Sequence, residues 1–173
     1  MNHVLILDNY LSEQKCDELI KIFVDNAYYQ NSENHTGYKI NYDVKYNHLG
    51  IDKINFALNE YINTYKEIKY TPNQFKLDEN ELRFKHFEPG NYYETWHCEH
   101  SYKFPYRVMN YMIYLSTHDC GTEFWNGDII KSEKGRLVMF PAAYTHIHRG
   151  QKCPDNNNRY LVGGYINYYL GLD

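Results

Sequence analysis

The hydrophobic pattern of this chain changes its period near Gln74, and this change constrains the fold more than any other feature. Upstream, apolar residues recur every three or four positions after Ser12 and again from Ile51, which predicts two amphipathic helices. A short apolar run at 4–7 predicts a strand before them. The polar segment 31–50 between the helices predicts a loop or a strand-bearing excursion.

Downstream of Gln74, strand-forming residues occupy seven short runs, separated by turn-forming sequences rich in Gly, Pro, Asn and Asp. The runs are 81–87, 92–97, 106–116, 122–125, 128–130, 136–140 and 160–168. Short strands that follow helices in this way predict an α+β protein that is mainly β. The expected architecture is an antiparallel sandwich or jelly roll with the helices packed on one side.

The length of 173 residues fits one domain over 1–173, with 1–73 as a helical support region and 74–173 as the β core. A net charge of −4 provides no basic field for nucleic acid, and no apolar stretch approaches the ~18 residues of a membrane span. The N-terminus lacks the pattern of a secretory signal, so a cytoplasmic location is expected. No CxxC pair occurs, and all four cysteines are predicted to be reduced: Cys16, Cys98, Cys120 and Cys153.

His97 and Glu99 stand two residues apart in a predicted strand, so both side chains should leave the same face. An imidazole and a carboxylate on one face, with a second distant histidine, are the ligands of a 2-His-1-carboxylate iron site. His146 and His148 are the candidates for that histidine. They would share a face if the segment is extended, so spacing does not choose between them.

Arg159 follows eleven residues after His148 and opens an apolar strand. A guanidinium group at the base of a strand barrel suits a dicarboxylate ligand, because it binds a carboxylate through two parallel hydrogen bonds. The alternative is a solvated strand end.

Taken in order, these segments resemble one family, the iron(II)/2-oxoglutarate dioxygenases of the prolyl 4-hydroxylase type, and most closely its small stand-alone members in phages and bacteria. The resemblance covers about 82–168, and the helix after Tyr10 resembles the family's leading helix. The segments that carry it are FEPGNYY at 87–93, WHCE at 96–99, MIYLS at 112–116, GTEF at 121–124, KGRLVMFP at 134–141, YTHIHRG at 144–150 and RY at 159–160.

The resemblance implies a double-stranded β-helix, another name for this jelly roll, with Fe(II) held by His97, Glu99 and His148. His148 is chosen over His146 because the family's second histidine stands in a His-Arg-Gly tripeptide. Glu99 occupies a position where the family more often has aspartate. A glutamate that bound the metal through both oxygens would use up an open coordination position.

The resemblance also implies how the cosubstrate, 2-oxoglutarate, would be bound. Arg159 would fix its C5 carboxylate, and Tyr114 would donate its hydroxyl to the same group. Tyr92 or Tyr93 would line the cosubstrate pocket, and Tyr92 is the residue we assign. Ascorbate is the expected rescuing reductant.

The implied activity is hydroxylation of a C–H bond with O2, on a prolyl residue of a peptide or protein by analogy with the family. A free amino acid and a nucleic-acid base are other conceivable substrates, the latter disfavoured by the net charge. The aromatic-rich segments 31–46 and 101–106 are candidate substrate-binding loops. The alternative function is a jelly-roll module that binds a metal without catalysis.

Overall fold

Two helices form where the apolar period predicts them, in a computed structural model that describes residues 2–25, 30–31, 38–41, 49, 51–71, 74–78 and 81–169. Helix α1 spans Glu13–Val24, and the Ser12 hydroxyl caps it by accepting a hydrogen bond from the Lys15 N–H at 3.2 Å. Helix α2 spans Ile51–Thr64 and is followed by a 3-10 helix at Lys66–Tyr70. Among the described residues, no helix has the length and apolar character needed to cross a membrane.

The strands form two antiparallel sheets, and this mainly β architecture confirms the predicted jelly roll. The large sheet contains β1 (Leu5–Leu7), β2 (Gln30–Asn31), β3 (Tyr38–Asn41), β4 (Gln74–Leu77), β5 (Arg83–Phe87), β6 (Arg107–Tyr114), β9 (Leu137–Pro141) and β11 (Arg159–Tyr169). The small sheet contains β7 (Gly121–Phe124), β8 (Ile129–Lys131) and β10 (His148–Gly150).

The strand order in the large sheet is β1-β9-β6-β11-β5-β3-β2, and β4 pairs with the later part of β11. The small sheet has the order β10-β7-β8. Region 1–73, predicted as helical support, therefore also supplies β1, β2 and β3 to the large sheet.

The two faces of the large sheet pack against different partners, because side chains alternate along each strand. Its helix face carries Phe84, Tyr111 and Ile113, in one apolar cluster with Leu19 and Phe23 of α1. Its pocket face carries a second cluster, between the large and small sheets: Ile40, Phe87, Met112, Tyr114, Phe124, Ile130, Val138, Phe140 and Leu161. The candidate site lies on this pocket face.

The strand predicted over 92–97 is wrong. Only an isolated bridge forms there, between His97 and His148. Gly150 N donates to Tyr93 O at 2.8 Å, and His148 and His97 exchange two hydrogen bonds at 2.9 and 3.0 Å. The hydrogen-bonded positions are four residues apart on one side, Tyr93 to His97, but two residues apart on the other, His148 to Gly150. This mismatch prevents a regular ladder. Strands β4 and β10 were not predicted, and most of segment 31–46 lies outside the described residues.

The prediction of four reduced cysteines is wrong for one pair, because Cys120 and Cys153 form a disulfide with a Cα–Cα distance of 4.9 Å. Cys120 precedes β7, and Cys153 follows β10. The backbones beside them are already joined, since Gln151 N donates to Gly121 O at 2.9 Å. A separation of 33 residues in the sequence conceals this proximity.

Candidate metal centre

Three potential metal ligands converge at the open side of the pocket face: His97, Glu99 and His148. One ligand atom from each lies within 4.8 Å of the other two. Glu99 Oε1 is 3.4 Å from His97 Nε2 and 3.9 Å from His148 Nε2. The backbone bridge between the two histidines holds their segments together, and Glu99 N donates to Ala142 O at 3.0 Å.

Backbone carbonyls determine the tautomer of both histidines. His97 Nδ1 lies 2.9 Å from the Thr95 carbonyl oxygen, and His148 Nδ1 lies 3.0 Å from the His146 carbonyl oxygen. Because a carbonyl can only accept, each Nδ1 carries a proton and each ring directs its Nε2 toward Glu99. Burial lowers the pKa of His148 to about 4, which keeps that ring neutral at pH 7.

Glu99 presents a single oxygen to the two histidines. Its other oxygen, Oε2, accepts a hydrogen bond from the Tyr165 hydroxyl at 3.0 Å and lies 3.6 Å from Arg107 Nη1. This arrangement favours one-oxygen ligation, so the longer glutamate need not occupy an additional coordination position. Burial alone would raise the pKa of Glu99, but the electrostatic effects of His97, Lys85 and His148 outweigh burial and hold that pKa below its usual range.

The geometry is that of a cation site. Two imidazole nitrogens and a carboxylate oxygen, all acceptors, face one another, and a cation would satisfy all three at once. Two nitrogens and one oxygen are also the donor set of the non-haem iron triad, which leaves coordination positions open. The residues present therefore fit Fe(II).

Arg159 lines the same pocket and is only 3% exposed. Its Nη1 donates to Gln151 O at 3.3 Å and lies 3.2 Å from Cys120 Sγ. Its Nε is buried and has no hydrogen-bond partner among the described residues. An unsatisfied guanidinium donor inside a pocket fits a carboxylate ligand, because burial of an unpaired donor is costly.

Tyr114 lines the same pocket and is fully buried. Its hydroxyl is 2.7 Å from Thr122 Oγ1. Burial raises the pKa of Tyr114, so the hydroxyl keeps its proton and can donate it in a hydrogen bond at neutral pH.

Of the six residues predicted for the site, five line this pocket: His97, Glu99, Tyr114, His148 and Arg159. Tyr92 is not among the lining residues, and its hydroxyl lies 3.5 Å from Glu94. Tyr93 lines the pocket instead, with its ring centroid 4.4 Å from that of His97. His146 points elsewhere and donates from Nε2 to the Asn2 carbonyl oxygen at 3.0 Å.

The sequence patterns did not identify several polar residues that line the pocket, among them Lys85 and Tyr165. Both lie on large-sheet strands and face the pocket. The position of Lys85 could have been inferred from side-chain alternation along the strand, because its neighbour Phe84 faces the helices. Burial lowers the pKa of Lys85 to about 8, and the Glu99 carboxylate partly opposes that effect.

A second group of potential ligands, His118, Cys153 and Asp155, is already satisfied without a metal. His118 Nδ1 lies 3.0 Å from both carboxylate oxygens of Asp155, and its Nε2 is 2.9 Å from Ser116 Oγ. Cys153 is in the disulfide. We interpret this group as structural.

No protein-family model matches the chain, and no curated protein matches it by sequence. Solved structures do match. A viral collagen prolyl hydroxylase from Paramecium bursaria Chlorella virus-1, solved as a 2OG complex, has a TM-score of 0.72 and 21% identity, and 97% of each chain is covered. A Pseudomonas putida prolyl-4-hydroxylase has a TM-score of 0.68 and 14% identity, with 96% of this chain and 93% of that chain covered.

A prolyl hydroxylase from Trichoplax adhaerens, solved with a hypoxia-inducible-factor peptide fragment, also has a TM-score of 0.68. It is 13% identical, and the alignment covers 98% of this chain and 84% of that chain. At such identities the likeness concerns the fold. The chain therefore has the fold of the prolyl 4-hydroxylase and 2OG-Fe(II) oxygenase structures.

Proposed function

We propose that this protein is an Fe(II)/2-oxoglutarate-dependent dioxygenase that hydroxylates a C–H bond. The observation that carries the proposal is the combination of three convergent acceptor atoms, from His97, Glu99 and His148, with the unsatisfied Nε of Arg159 in the same pocket. The first group suits a divalent cation, and the second suits the carboxylate of a cosubstrate.

In this proposal each residue of the pocket has one task. His97 Nε2, His148 Nε2 and Glu99 Oε1 hold Fe(II), while the Tyr165 hydroxyl keeps the second Glu99 oxygen away from the metal. Arg159 binds the distal carboxylate of 2-oxoglutarate. When bound, Fe(II) and 2-oxoglutarate would supply the redox chemistry, in which 2-oxoglutarate and O2 yield succinate and CO2 and one oxygen atom enters the substrate C–H bond.

Three aromatic residues complete the proposed cosubstrate site. The Tyr114 hydroxyl is buried within reach of Thr122 and shares the pocket with Arg159, so it can donate to the same distal carboxylate. The Phe87 ring lies against the Arg159 guanidinium, with Cζ 4.6 Å from the ring centroid. This stacking holds the guanidinium in place and excludes water from its face. We assign Tyr93, which packs against His97, the lining role first given to Tyr92.

We propose a prolyl residue in a peptide or protein as the substrate. Two of the similar structures are a viral collagen prolyl hydroxylase and a prolyl hydroxylase holding a peptide fragment. Aromatic residues near the metal centre suit a peptide: the half-buried Trp96 and the exposed Trp125 meet edge to face at 5.1 Å, and Arg149 stacks on Trp96. Aromatic surfaces of this kind bind extended proline-rich segments. Ascorbate is the proposed reductant for iron that is oxidised without substrate turnover.

The second candidate function is a jelly-roll module that binds a metal without oxidation. The glutamate at position 99 favours it, because the family more often has aspartate there. The unsatisfied Arg159 Nε argues against it, since a purely structural metal site has no use for a buried carboxylate-binding group.

An anaerobic titration of the metal-free protein distinguishes the two candidates. Fe(II) is added first, then 2-oxoglutarate, while the visible spectrum is recorded. The dioxygenase proposal expects a metal-to-ligand charge-transfer band that saturates with 2-oxoglutarate, followed by succinate release when O2 and peptide are supplied. Iron binding without this band would favour the non-catalytic module. Absence of iron binding would contradict both.

A further inference from the structure

Lys85 is a basic side chain of the pocket that the proposed function leaves without a task. It lies on β5, between Arg83 and Phe87, and all three residues line the pocket. No hydrogen bond or ion pair involves its Nζ among the described residues. Four charged groups act on it, and Glu99 has the largest effect, ahead of Arg83, Arg107 and Arg159. Lys85 therefore shares one pocket with the metal centre and the proposed carboxylate-binding arginine.

Other cations around the pocket have acidic partners. Arg83 and Arg107 each lie 2.5 Å from the same oxygen of Glu81. Arg149 pairs with Glu123 at 2.9 Å. Within the described part of the chain, Lys85 and Arg159 lack such a partner, although Arg159 is buried and Lys85 is half-buried. Because an isolated buried ammonium group is costly, two cations in this condition indicate a ligand with two negative groups.

The spacing of these two cations matches a five-carbon dicarboxylate. In the β5–β11 ladder, Arg159 is opposite Phe87, and Leu161 is opposite Lys85. Lys85 is thus one same-face step from the Arg159 level, about 7 Å along the strand. The two carboxylate carbons of 2-oxoglutarate are separated by four C–C bonds, or about 5 Å in an extended chain. A dicarboxylate held by Arg159 at one end would bring its other end near the level of Lys85.

We propose that Lys85 binds the C1 carboxylate of 2-oxoglutarate, the one next to the keto group, while Arg159 binds the C5 carboxylate. This inference rests on the proposed function and extends it with a second cationic contact from a different strand. The ammonium group neutralises one carboxylate oxygen and orients the other toward the metal centre. Lys85 then contributes to the binding of any ligand that carries this carboxylate, and Arg159 selects those with a second carboxylate.

Two ligands and two variants separate these roles. The ligands are 2-oxoglutarate and 2-oxopentanoate, in which a methyl group replaces the C5 carboxylate. Calorimetry measures the Kd of both for protein loaded with Mn(II), which stands in for Fe(II) and prevents turnover. Lys85→Met should weaken both ligands by the same factor, about 10- to 100-fold for loss of a hydrogen bond to a charged group. Arg159→Met should weaken only 2-oxoglutarate, down to the affinity of 2-oxopentanoate.

Controls exclude indirect effects of the lysine substitution. Lys85→Met should retain the Mn(II) affinity and the melting temperature of the parent protein, and Lys85→Arg should restore most of the affinity for both ligands. If Lys85→Met does not fold, Lys85→Gln keeps a polar group of similar length and serves for the same measurement. Lys134→Met, which removes a cation outside the pocket that pairs with Asp17 at 2.6 Å, should leave both affinities within about twofold.

Three results would overturn the inference. Unchanged affinities in the Lys85→Met protein would show that the lysine does not contact the cosubstrate. Weakening of 2-oxoglutarate alone would move its contact to the C5 carboxylate. Weakened Mn(II) binding would make its effect indirect. If the parent protein binds Mn(II) but neither ligand, the proposed function itself fails, and this result is distinct from the other three.

Discussion

The two faces of the large sheet share the same strands and the same register, yet they have different tasks. On the helix face, Phe84, Tyr111 and Ile113 are buried in the apolar cluster that also contains residues of α1 and α2. On the pocket face, one residue away along the same strands, stand Lys85 and Tyr114. The alternation of side chains lets a single strand contribute to stability on one side and to chemistry on the other.

The difference shows where this chain tolerates buried charge. Phe84, Tyr111 and Ile113 on the helix face carry no charge, whereas the pocket combines Lys85, Glu99 and Arg159 with apolar residues. Buried charges without full pairing reduce stability, so they are expected where a ligand completes them. Substitutions on the helix face should therefore change folding, and those on the pocket face should change ligand binding.

The largest expected effect comes from the pocket side, at His148. We expect His148→Ala to lose metal affinity by more than about 100-fold, since loss of a ligand should exceed the effect of losing a group that only orients one. His146→Ala is the matched control, because that ring lies outside the cluster and bonds to Asn2 O. Equilibrium dialysis with Fe(II) under argon measures both. The opposite ranking of the two variants would mean that His146 is the ligand.

On the helix face, Phe84→Ala should reduce the free energy of unfolding by about 3–5 kcal/mol. Phe84 is fully buried, and its ring centroid is 5.2 Å from that of Phe23 in α1. Urea denaturation measures the loss, with Lys85→Met as its counterpart on the pocket face. The lysine variant should be at least as stable as the parent, because it removes a buried cation. Equal destabilisation by both substitutions would remove the distinction between the faces.

Acidification should destabilise the metal-free protein through His148. Its folded-state pKa, about 4, is below the ordinary value of about 6.5, so the unfolded chain binds more protons between these values. Stability should therefore fall as pH decreases from about 6.5 to about 4, by an amount on the order of 3 kcal/mol. Urea denaturation across this range measures the slope. His148→Gln should reduce the slope, and an unchanged slope would assign it to other groups.

The smallest effect is expected from Tyr114→Phe, which removes one hydroxyl and keeps the buried ring. In our proposal this hydroxyl donates to the C5 carboxylate of 2-oxoglutarate. A neutral hydrogen bond contributes about 0.5–1.5 kcal/mol, so the Kd for 2-oxoglutarate should rise about 2- to 10-fold. Calorimetry on the Mn(II)-loaded protein measures it, and Thr122→Val tests whether Thr122 Oγ1 acts only through Tyr114. An unchanged Kd would limit Tyr114 to packing.

Much of the candidate site could be predicted from local spacing, although one reason for it was wrong. His97 and Glu99 do converge, but on an irregular segment with a single bridge and not on a regular strand. Spacing could not distinguish His146 from His148, because both side chains would share a face on one extended segment. In the fold, a 3-10 helix at Tyr144–His146 ends just before β10 begins at His148. That change of backbone sends the two rings in different directions.

The sequence by itself determined the mainly β class and the order of helices before most strands. It also marked His97, Glu99 and Arg159 as site candidates, and the family resemblance added Tyr114. The fold class could be predicted because periodicity and turn residues act over a few positions of the chain.

Only the tertiary structure decided which face of each strand meets the pocket and which cations lack acidic partners among the described residues. It also paired Cys120 with Cys153 and placed Lys85 in one pocket with Glu99 and Arg159. These features depend on contacts between segments far apart in the sequence. Their positions are set by sheet register and by the packing of one sheet on the other, which no local pattern contains.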